Sequence, residues 1–286
     1  MSKIARVGVV GGGLMGSGIA EVTARSGLDT VVVEIDQDAA DRAQKRVEAS
    51  LDRALGRGKI TDDEHAAAAG RLGFSTSLDD LADRDLVVEA ASEDERTKLD
   101  LFTRIGAILT QDDAVLASNT SSIPIVKLGA VSGRPGQVMG VHFFNPAPVM
   151  QLVELVPSLT TSKDTQERMR TFVSESLGKE PIEATDRAGF VVNSLLVPYL
   201  LSAIRMYEAG YASAEDIDQG MVLGCGHPMG PLALSDLIGL DTVRAIGLSM
   251  YGEFKEPLYS PPPLLDRMVD AGLVGKKTGR GFYDYS

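Results

Sequence analysis

Short apolar runs alternate with helix-spaced segments through the first two-thirds of the chain. Ala5 to Val10, Thr30 to Val33, Leu86 to Ala90 and Ala114 to Ser118 each read as a buried strand, rich in β-branched residues and without the in-out alternation of a half-exposed one. Phe74 to Ser77 reads as a shorter strand. A further apolar run from Val138 breaks at His142-Phe143-Phe144-Asn145-Pro146, and Leu152 to Val156 follows. Between these runs lie helical patterns: Ile19, Val22 and Thr23, then a long amphipathic stretch from Asp38 to Leu55. After the Gly56-Arg57-Gly58 break, Thr61-Asp62-Asp63-Glu64 has the signature of a capped helix start. These two helices form a hairpin projecting from the sheet, with His65 on its solvated face. Strands alternating with helices imply a parallel, doubly wound sheet. Lys163 to Leu177 reads as one more helix, and near Thr185 to Gly189 the alternation stops. The expected architecture is therefore α/β, a doubly wound sheet with a helical hairpin over residues 1–187. An all-helical C-terminal domain follows over residues 188–286. Phe190 to Leu201 is apolar nearly all round, so it should be buried in a domain core or between subunits, and Asn193 is the polar exception within it.

The first strand runs into Gly11-Gly12-Gly13-Leu14-Met15-Gly16, a G-x-G-x-x-G string between a strand and a helix. In that setting each glycine has a task. Gly11 makes the tight turn, Gly13 lets a pyrophosphate approach the backbone, and Gly16 allows close helix-strand packing, so the helix N-terminus faces the phosphates. This makes the sheet Rossmann-like. The acid that holds the adenosine ribose belongs about twenty residues further on. Glu34 is the better placed, at the end of the second strand, with Asp36 second. An acid there repels the 2'-phosphate of NADP and favours NAD. The nearest guanidinium that could soften that preference is Arg42 on the next helix.

His142 lies at a strand end, where open α/β sheets place their ligands. Glu154 is a carboxylate inside the apolar run Leu152-Val153-Glu154-Leu155-Val156, and burying it is costly unless it is paired. His142 is the nearest partner in sequence. Such a pair fixes the imidazole tautomer and gives a base able to exchange a proton near neutral pH. Two polar clusters also follow strands: Ser92-Glu93 with Lys98 on the next helix, and Ser118-Asn119-Thr120-Ser121-Ser122. They read equally well as helix caps.

Composition narrows the function. A net charge of −12 with no Lys/Arg cluster argues against a general nucleic-acid binder. The single cysteine, Cys225, offers no disulfide framework and no metal-ligand spacing, which points to a reducing, cytoplasmic compartment and reads as a small packed hydrophobe. With a strand beginning almost at once, at Ala5, no targeting peptide is expected, and no apolar run approaches the eighteen or so residues of a membrane span.

Taken together, Gly11-Gly12-Gly13-Leu14-Met15-Gly16-Ser17-Gly18-Ile19-Ala20, Ser118-Asn119-Thr120-Ser121-Ser122, His142-Phe143-Phe144-Asn145-Pro146, Gly189-Phe190-Val191-Val192-Asn193 and Lys276-Lys277-Thr278-Gly279 resemble the NAD-dependent L-3-hydroxyacyl-CoA dehydrogenase family. The resemblance covers essentially the whole chain. It implies His142 as catalytic base with Glu154 as its partner, and Ser121 and Asn193 on the substrate's oxygens. It places Gly11, Gly13, Leu14, Met15, Gly16, Glu34, Asp36, Glu93, Lys98, Asn119, Ser121, Asn145 and Lys277 around NAD. It sets the hairpin near Ser50 and Arg57 against CoA, with no metal, and implies a homodimer through the C-terminal helices. Two competing readings remain: a dehydrogenase of a sugar acid or another short 3-hydroxy acid, and a non-catalytic dinucleotide-binding protein.

Overall fold

The computed structural model describes residues 3–286, which divide into two compact units, the first ending at Asp186 and the second running from Arg187 to Ser286. In the first unit the strands are β1 (Arg6–Val10), β2 (Asp29–Val33), β3 (Leu72–Ser75), β4 (Leu86–Glu89), β5 (Val115–Ser118), β6 (Val138–Phe143), β7 (Leu152–Pro157) and β8 (Glu180–Glu183). They form one sheet in the order β3-β2-β1-β4-β5-β6-β7-β8. From β1 the chain moves outward through β2 and β3, then returns to β4 on the other side of β1. The gap between the carboxyl ends of β1 and β4 is thus the switch point where such sheets bind ligands.

The sheet departs from the all-parallel expectation at one place. β7 runs antiparallel to β6, with His142 directly opposite Glu154, while β8 is parallel to β7. The connection from Phe143 to Leu152 is too short for the dozen or so residues that a parallel crossover needs. Smaller differences have local causes. β3 ends at Ser75, two residues earlier than expected, because the Ser77 side chain caps the 3-10 turn Leu78–Leu81. The Lys163 helix is α-helical only to Thr171 and continues to Ser176 as a π-helical turn.

Around the sheet lie α1 (Leu14–Arg25), α2 (Gln37–Gly56), α3 (Asp62–Ala69), α4 (Glu95–Ile108), α5 (Ile125–Val131) and α6 (Lys163–Thr171). α2 and α3 form the expected hairpin, which is seated on α1 through a small core of Ala24, Val47, Leu51, Ile60 and Ala68. Asp36 caps α2, and Thr61 and Glu64 form a reciprocal capping box on α3. His65, expected on the solvated face, lies at the surface half-buried, and its ring meets Asp52 of α2 at 2.9 Å, linking the two helices.

The second unit is helical: α7 (Val192–Glu208), α8 (Ala214–Cys225), α9 (Pro231–Ile238), α10 (Leu240–Phe254) and α11 (Pro263–Asp270). α7 starts two residues later than expected, after Gly189 and Phe190 at positive φ. Val197, Leu200, Leu201 and Ile204 fill the unit's core, but Leu195 is 74 % exposed, so the helix is not buried all round within one chain. Cys225, expected to be packed, is exposed at the end of α8. Asp236 on α9 accepts the N–H groups of Phe282 and Tyr283 and the hydroxyl of Tyr285, pinning the C-terminal segment. Among the described residues no helix is long and apolar enough to cross a membrane.

Leu51 is fully buried in the small core beneath the hairpin. Leu51→Ala should cost about 2–5 kcal/mol of stability. Urea unfolding monitored by circular dichroism checks this, and a loss under about 1 kcal/mol would mean that the hairpin is not packed as described.

Candidate active site

The glycine loop sits at the switch point. Gly11 has φ 91°, and its N–H reaches the Val33 carbonyl at 2.9 Å. A Cβ at Gly16 would lie 1.7 Å from the Gly11 carbonyl oxygen, so α1 can start here only with glycine at that position. Gly13 is different: nothing lies within 4 Å of where its Cβ would be. No side chain caps α1 at Gly13, so its first-turn N–H groups face outward with the positive end of the helix. Leu14 is exposed and Met15 packs on the core. This cradle suits the pyrophosphate of a dinucleotide.

Glu34 follows β2 directly and accepts the Gly12 N–H at 2.6 Å and the Ile35 N–H at 3.2 Å, which places its carboxylate on the glycine loop. Asp36 accepts the Ala39 N–H at 2.7 Å, a helix cap that accounts for this acid without any ligand. Arg42 is not the guanidinium that reaches the loop. Arg46, one turn later, donates to the Gly12 carbonyl at 2.6 Å.

The two polar clusters of the sequence meet at the ends of β4 and β5. Glu89, the last residue of β4, is fully buried and accepts from Lys98 Nζ at 2.6 Å, Ser118 Oγ at 2.6 Å and the Ala91 N–H at 2.7 Å. Lys98 also reaches Glu93 Oε2 at 3.3 Å. Glu93 in turn accepts from the Thr120 hydroxyl, the Ser121 N–H at 3.0 Å and Ser122 Oγ at 3.0 Å. Burial pushes the Glu93 carboxyl up, but the Lys98 charge and these hydrogen bonds outweigh it and hold the group below the ordinary carboxylate range. Asn119 Oδ1 accepts the Phe143 N–H at 2.9 Å, which ties this turn to the end of β6.

There His142 Nδ1 and Glu154 Oε2 lie 2.7 Å apart, within hydrogen-bond distance. Directly opposed residues of an antiparallel pair share one face of the sheet, so the register alone brings the two side chains together. His142 is 7 % exposed and Glu154 is fully buried. The Phe144 ring lies edge-on to the imidazole at 4.7 Å. Asn145, at a cis peptide bond with Pro146, is exposed just beyond.

Other expected residues lie elsewhere. Ser50, half-buried, and Arg57, exposed, are on the hairpin and not at the strand ends. Asn193 is buried in the first turn of α7, and Lys277 donates to Asp241 at 2.5 Å, both within the second unit. Beside the hairpin, in the first unit, a cavity of about 520 Å3 is lined by Arg25, Lys59, Arg71 and Lys179, four cations against the carboxylates of Asp63 and Glu64. Lys179 Nζ is fixed by the carbonyls of Ala147 and Met150, and burial together with the Arg25 charge pushes its amine below the ordinary lysine range.

Glu89 and Arg46 were not singled out from the sequence. Glu89 carries the same signal as Glu154, a carboxylate in an apolar strand. Nothing in the local sequence distinguishes Arg46 from the other cations of a solvated helix face.

The fold and this site define a Rossmann-type dinucleotide-binding protein with a buried imidazole-carboxylate pair at the carboxyl end of β6. Residues 6–187 match the family described as "3-hydroxyacyl-CoA dehydrogenase, NAD binding domain", and residues 189–285 match "3-hydroxyacyl-CoA dehydrogenase, C-terminal domain". The chain belongs to the 3-hydroxyacyl-CoA dehydrogenase family, and its cofactor is NAD. It is 56 % identical over 282 residues to the 3-hydroxybutyryl-CoA dehydrogenase of Mycobacterium tuberculosis, covering 99 % of each chain. Its structure resembles M. tuberculosis FadB2 (TM-score 0.98, 55 % identity, all of both chains). It also resembles (S)-3-hydroxybutyryl-CoA dehydrogenase PaaH1 of Ralstonia eutropha, with TM-score 0.93 and 46 % identity over 99 % of this chain and 100 % of that one.

Because the Glu93 carboxyl is held below its unfolded value of 4.5, its contribution to stability is present above that pH and is lost as pH falls through the lower folded value. Wild type should therefore be more stable than Glu93→Gln near pH 7, with the gap closing under acid. Thermal melts between pH 7 and pH 3 test this, and a gap independent of pH would contradict the ionic network.

Proposed function

We propose that the chain interconverts a short-chain L-3-hydroxyacyl-CoA and the corresponding 3-oxoacyl-CoA, with His142 as the acid-base group. The single observation that carries this is the His142–Glu154 contact, an imidazole at the end of β6 backed by a fully buried carboxylate. NAD, when bound, takes up or returns the hydride at C3 of the substrate. In oxidation His142 removes the C3 hydroxyl proton, and in reduction it gives the proton back. Nδ1 is engaged by Glu154, so the exchange falls to Nε2. Glu154 fixes the tautomer and opposes the positive charge that the ring acquires. The Ser118–Ser122 turn, held by Glu93 and Glu89, presents Ser121 to the substrate's oxygen, and Asn193 serves the same end.

The glycine loop holds the pyrophosphate, Glu34 the adenosine ribose, and Glu93, Lys98, Asn119, Asn145 and Lys277 the remainder of NAD. The hairpin, through Ser50 and Arg57, faces CoA. In a chain of net charge −12, the four cations of the cavity beside the hairpin are a local source of attraction for the phosphates of that substrate. A dehydrogenase of a free 3-hydroxy acid or sugar acid would have no use for a helical hairpin that grips CoA. The lone cysteine and the bacterial relatives fit a cytoplasmic setting in fatty-acid β-oxidation or its reverse.

With acetoacetyl-CoA and NADH, the wild type should turn over at rates far above those with free acetoacetate or a sugar acid. His142→Ala should lower kcat by roughly two to four decades with little change in NADH affinity. Glu154→Gln should also lower kcat strongly and alter its pH profile. Near-normal turnover of His142→Ala would overturn the assignment.

A homodimer through the C-terminal helices accounts for the large apolar side chains left exposed on the second unit, among them Leu195, Tyr211 and Leu223. Sedimentation velocity on the full chain should give a dimer, and Leu195→Glu should shift it toward monomer. A wild-type monomer at micromolar concentration would remove the dimer from this account.

A further inference from the structure

Glu34 and Arg46 meet on the same residue of the glycine loop. The Glu34 carboxylate accepts the Gly12 N–H through Oε1 at 2.6 Å, and the Arg46 guanidinium donates to the Gly12 carbonyl through Nη1, also at 2.6 Å. α2 comes this close because the stripe it turns inward begins with small residues: Ala39, Ala40 and Ala43 are all buried. A Cβ built on Gly12 would lie 2.3 Å from the Cβ of Ala43, so a glycine is needed there for the helix to pack. Arg46 follows Ala43 by three positions and therefore emerges on the same side of α2, one turn further along. A guanidinium is consequently fixed beside the carboxylate that meets the adenosine ribose. Arginine carries five donors in a planar fork matched to phosphate, and the bond to Gly12 leaves most of them over.

We propose that Arg46 is a specificity-determining residue, a phosphate-accepting guanidinium already seated at the ribose end of the dinucleotide and kept from recruiting NADP only by the carboxylate of Glu34. This rests on the NAD reading above and goes beyond it. With Glu34 ionised, the 2'-phosphate of NADP meets a like charge at close range, and the repulsion outweighs what the arginine offers. With that charge removed, the guanidinium faces the phosphate unopposed and can bind it through charge-assisted hydrogen bonds. The chain is thus one substitution from NADP acceptance, and the acceptance is supplied by α2 and not by the strand end that excludes it.

Fluorescence titration of NADH and NADPH separates the two roles without relying on turnover. The proteins are wild type, Glu34→Gln, the double variant Glu34→Gln/Arg46→Ala, and Glu34→Gln/Arg46→Lys, each first shown by thermal melting to be folded. Wild type should bind NADH far more tightly than NADPH. Glu34→Gln should gain NADPH affinity by roughly ten- to a hundredfold, the worth of one or two charge-assisted bonds. Adding Arg46→Ala should remove most of that gain, with the loss for NADPH exceeding any loss for NADH by about tenfold. Arg46→Lys should keep part of the gain, because a point charge remains without the fork. The inference is overturned if Glu34→Gln gains no NADPH affinity, or if the Arg46→Ala double variant binds NADPH as tightly as Glu34→Gln does. Failure of wild type to bind NADH at all would overturn the cofactor reading itself, and this inference with it.

Discussion

A carboxylate sealed inside a β-strand is the constraint on which the site depends. Glu154 is fully buried in β7, and taking an ionised carboxylate out of water costs several kcal/mol unless a partner compensates. The compensation comes from His142 at 2.7 Å, across the one antiparallel pairing of the sheet. A one-residue slip in that register would turn Glu154 to the opposite face, away from His142, so strand pairing and the geometry of the candidate site are fixed by the same requirement. The short connection that forces the strands antiparallel is therefore a functional feature as much as a topological one.

The same design appears a second time at the end of β4. Glu89 is equally buried and is compensated by Lys98, Ser118 and a backbone N–H, and Lys98 passes the link on to Glu93. Through Glu93 the network fixes the turn that carries Ser121, and through Asn119 it reaches the N–H next to His142. Two buried acids thus hold the loops at the sheet's carboxyl edge in a single arrangement, the pre-organisation that the proposed proton and hydride transfer would draw on.

Much of this was legible in the sequence because it depends on local physical rules. The glycine spacing before a helix, the acid at the end of the second strand, and an acid in an apolar run facing a histidine each have one economical explanation. The hairpin was legible through the Gly56–Gly58 break and the Thr61–Glu64 capping box. What escaped depends on how distant segments meet. The direction of β7 is a different case: it follows from the short connection between Phe143 and Leu152, which is present in the sequence, whereas the alternation of strands and helices points only to a parallel sheet. Arg46 looks like any other cation on a solvated helix face, and only the approach of α2 over small alanines gives it a role. Cys225 was misread as buried because cysteine's usual apolar preference says nothing about a residue at an exposed helix end. The pairing of His65 is not legible because its partner, Asp52, lies on the other arm of the hairpin. Asp36, the second candidate for the ribose contact, accepts the Ala39 N–H as the cap of α2, a role that the spacing from the glycines does not reveal.

The central claim is that Glu154 dictates which nitrogen of His142 carries the proton. The most direct test is 15N NMR of the histidine side chains in the neutral state, with the His142 resonances assigned by comparison with His142→Ala and separated from those of His65 and His227. The account predicts that His142 is protonated at Nδ1 and unprotonated at Nε2 in wild type, and that this single tautomer gives way to a mixture in Glu154→Gln. A His142 ring protonated mainly at Nε2, or a tautomer unchanged by the loss of the Glu154 charge, would contradict it.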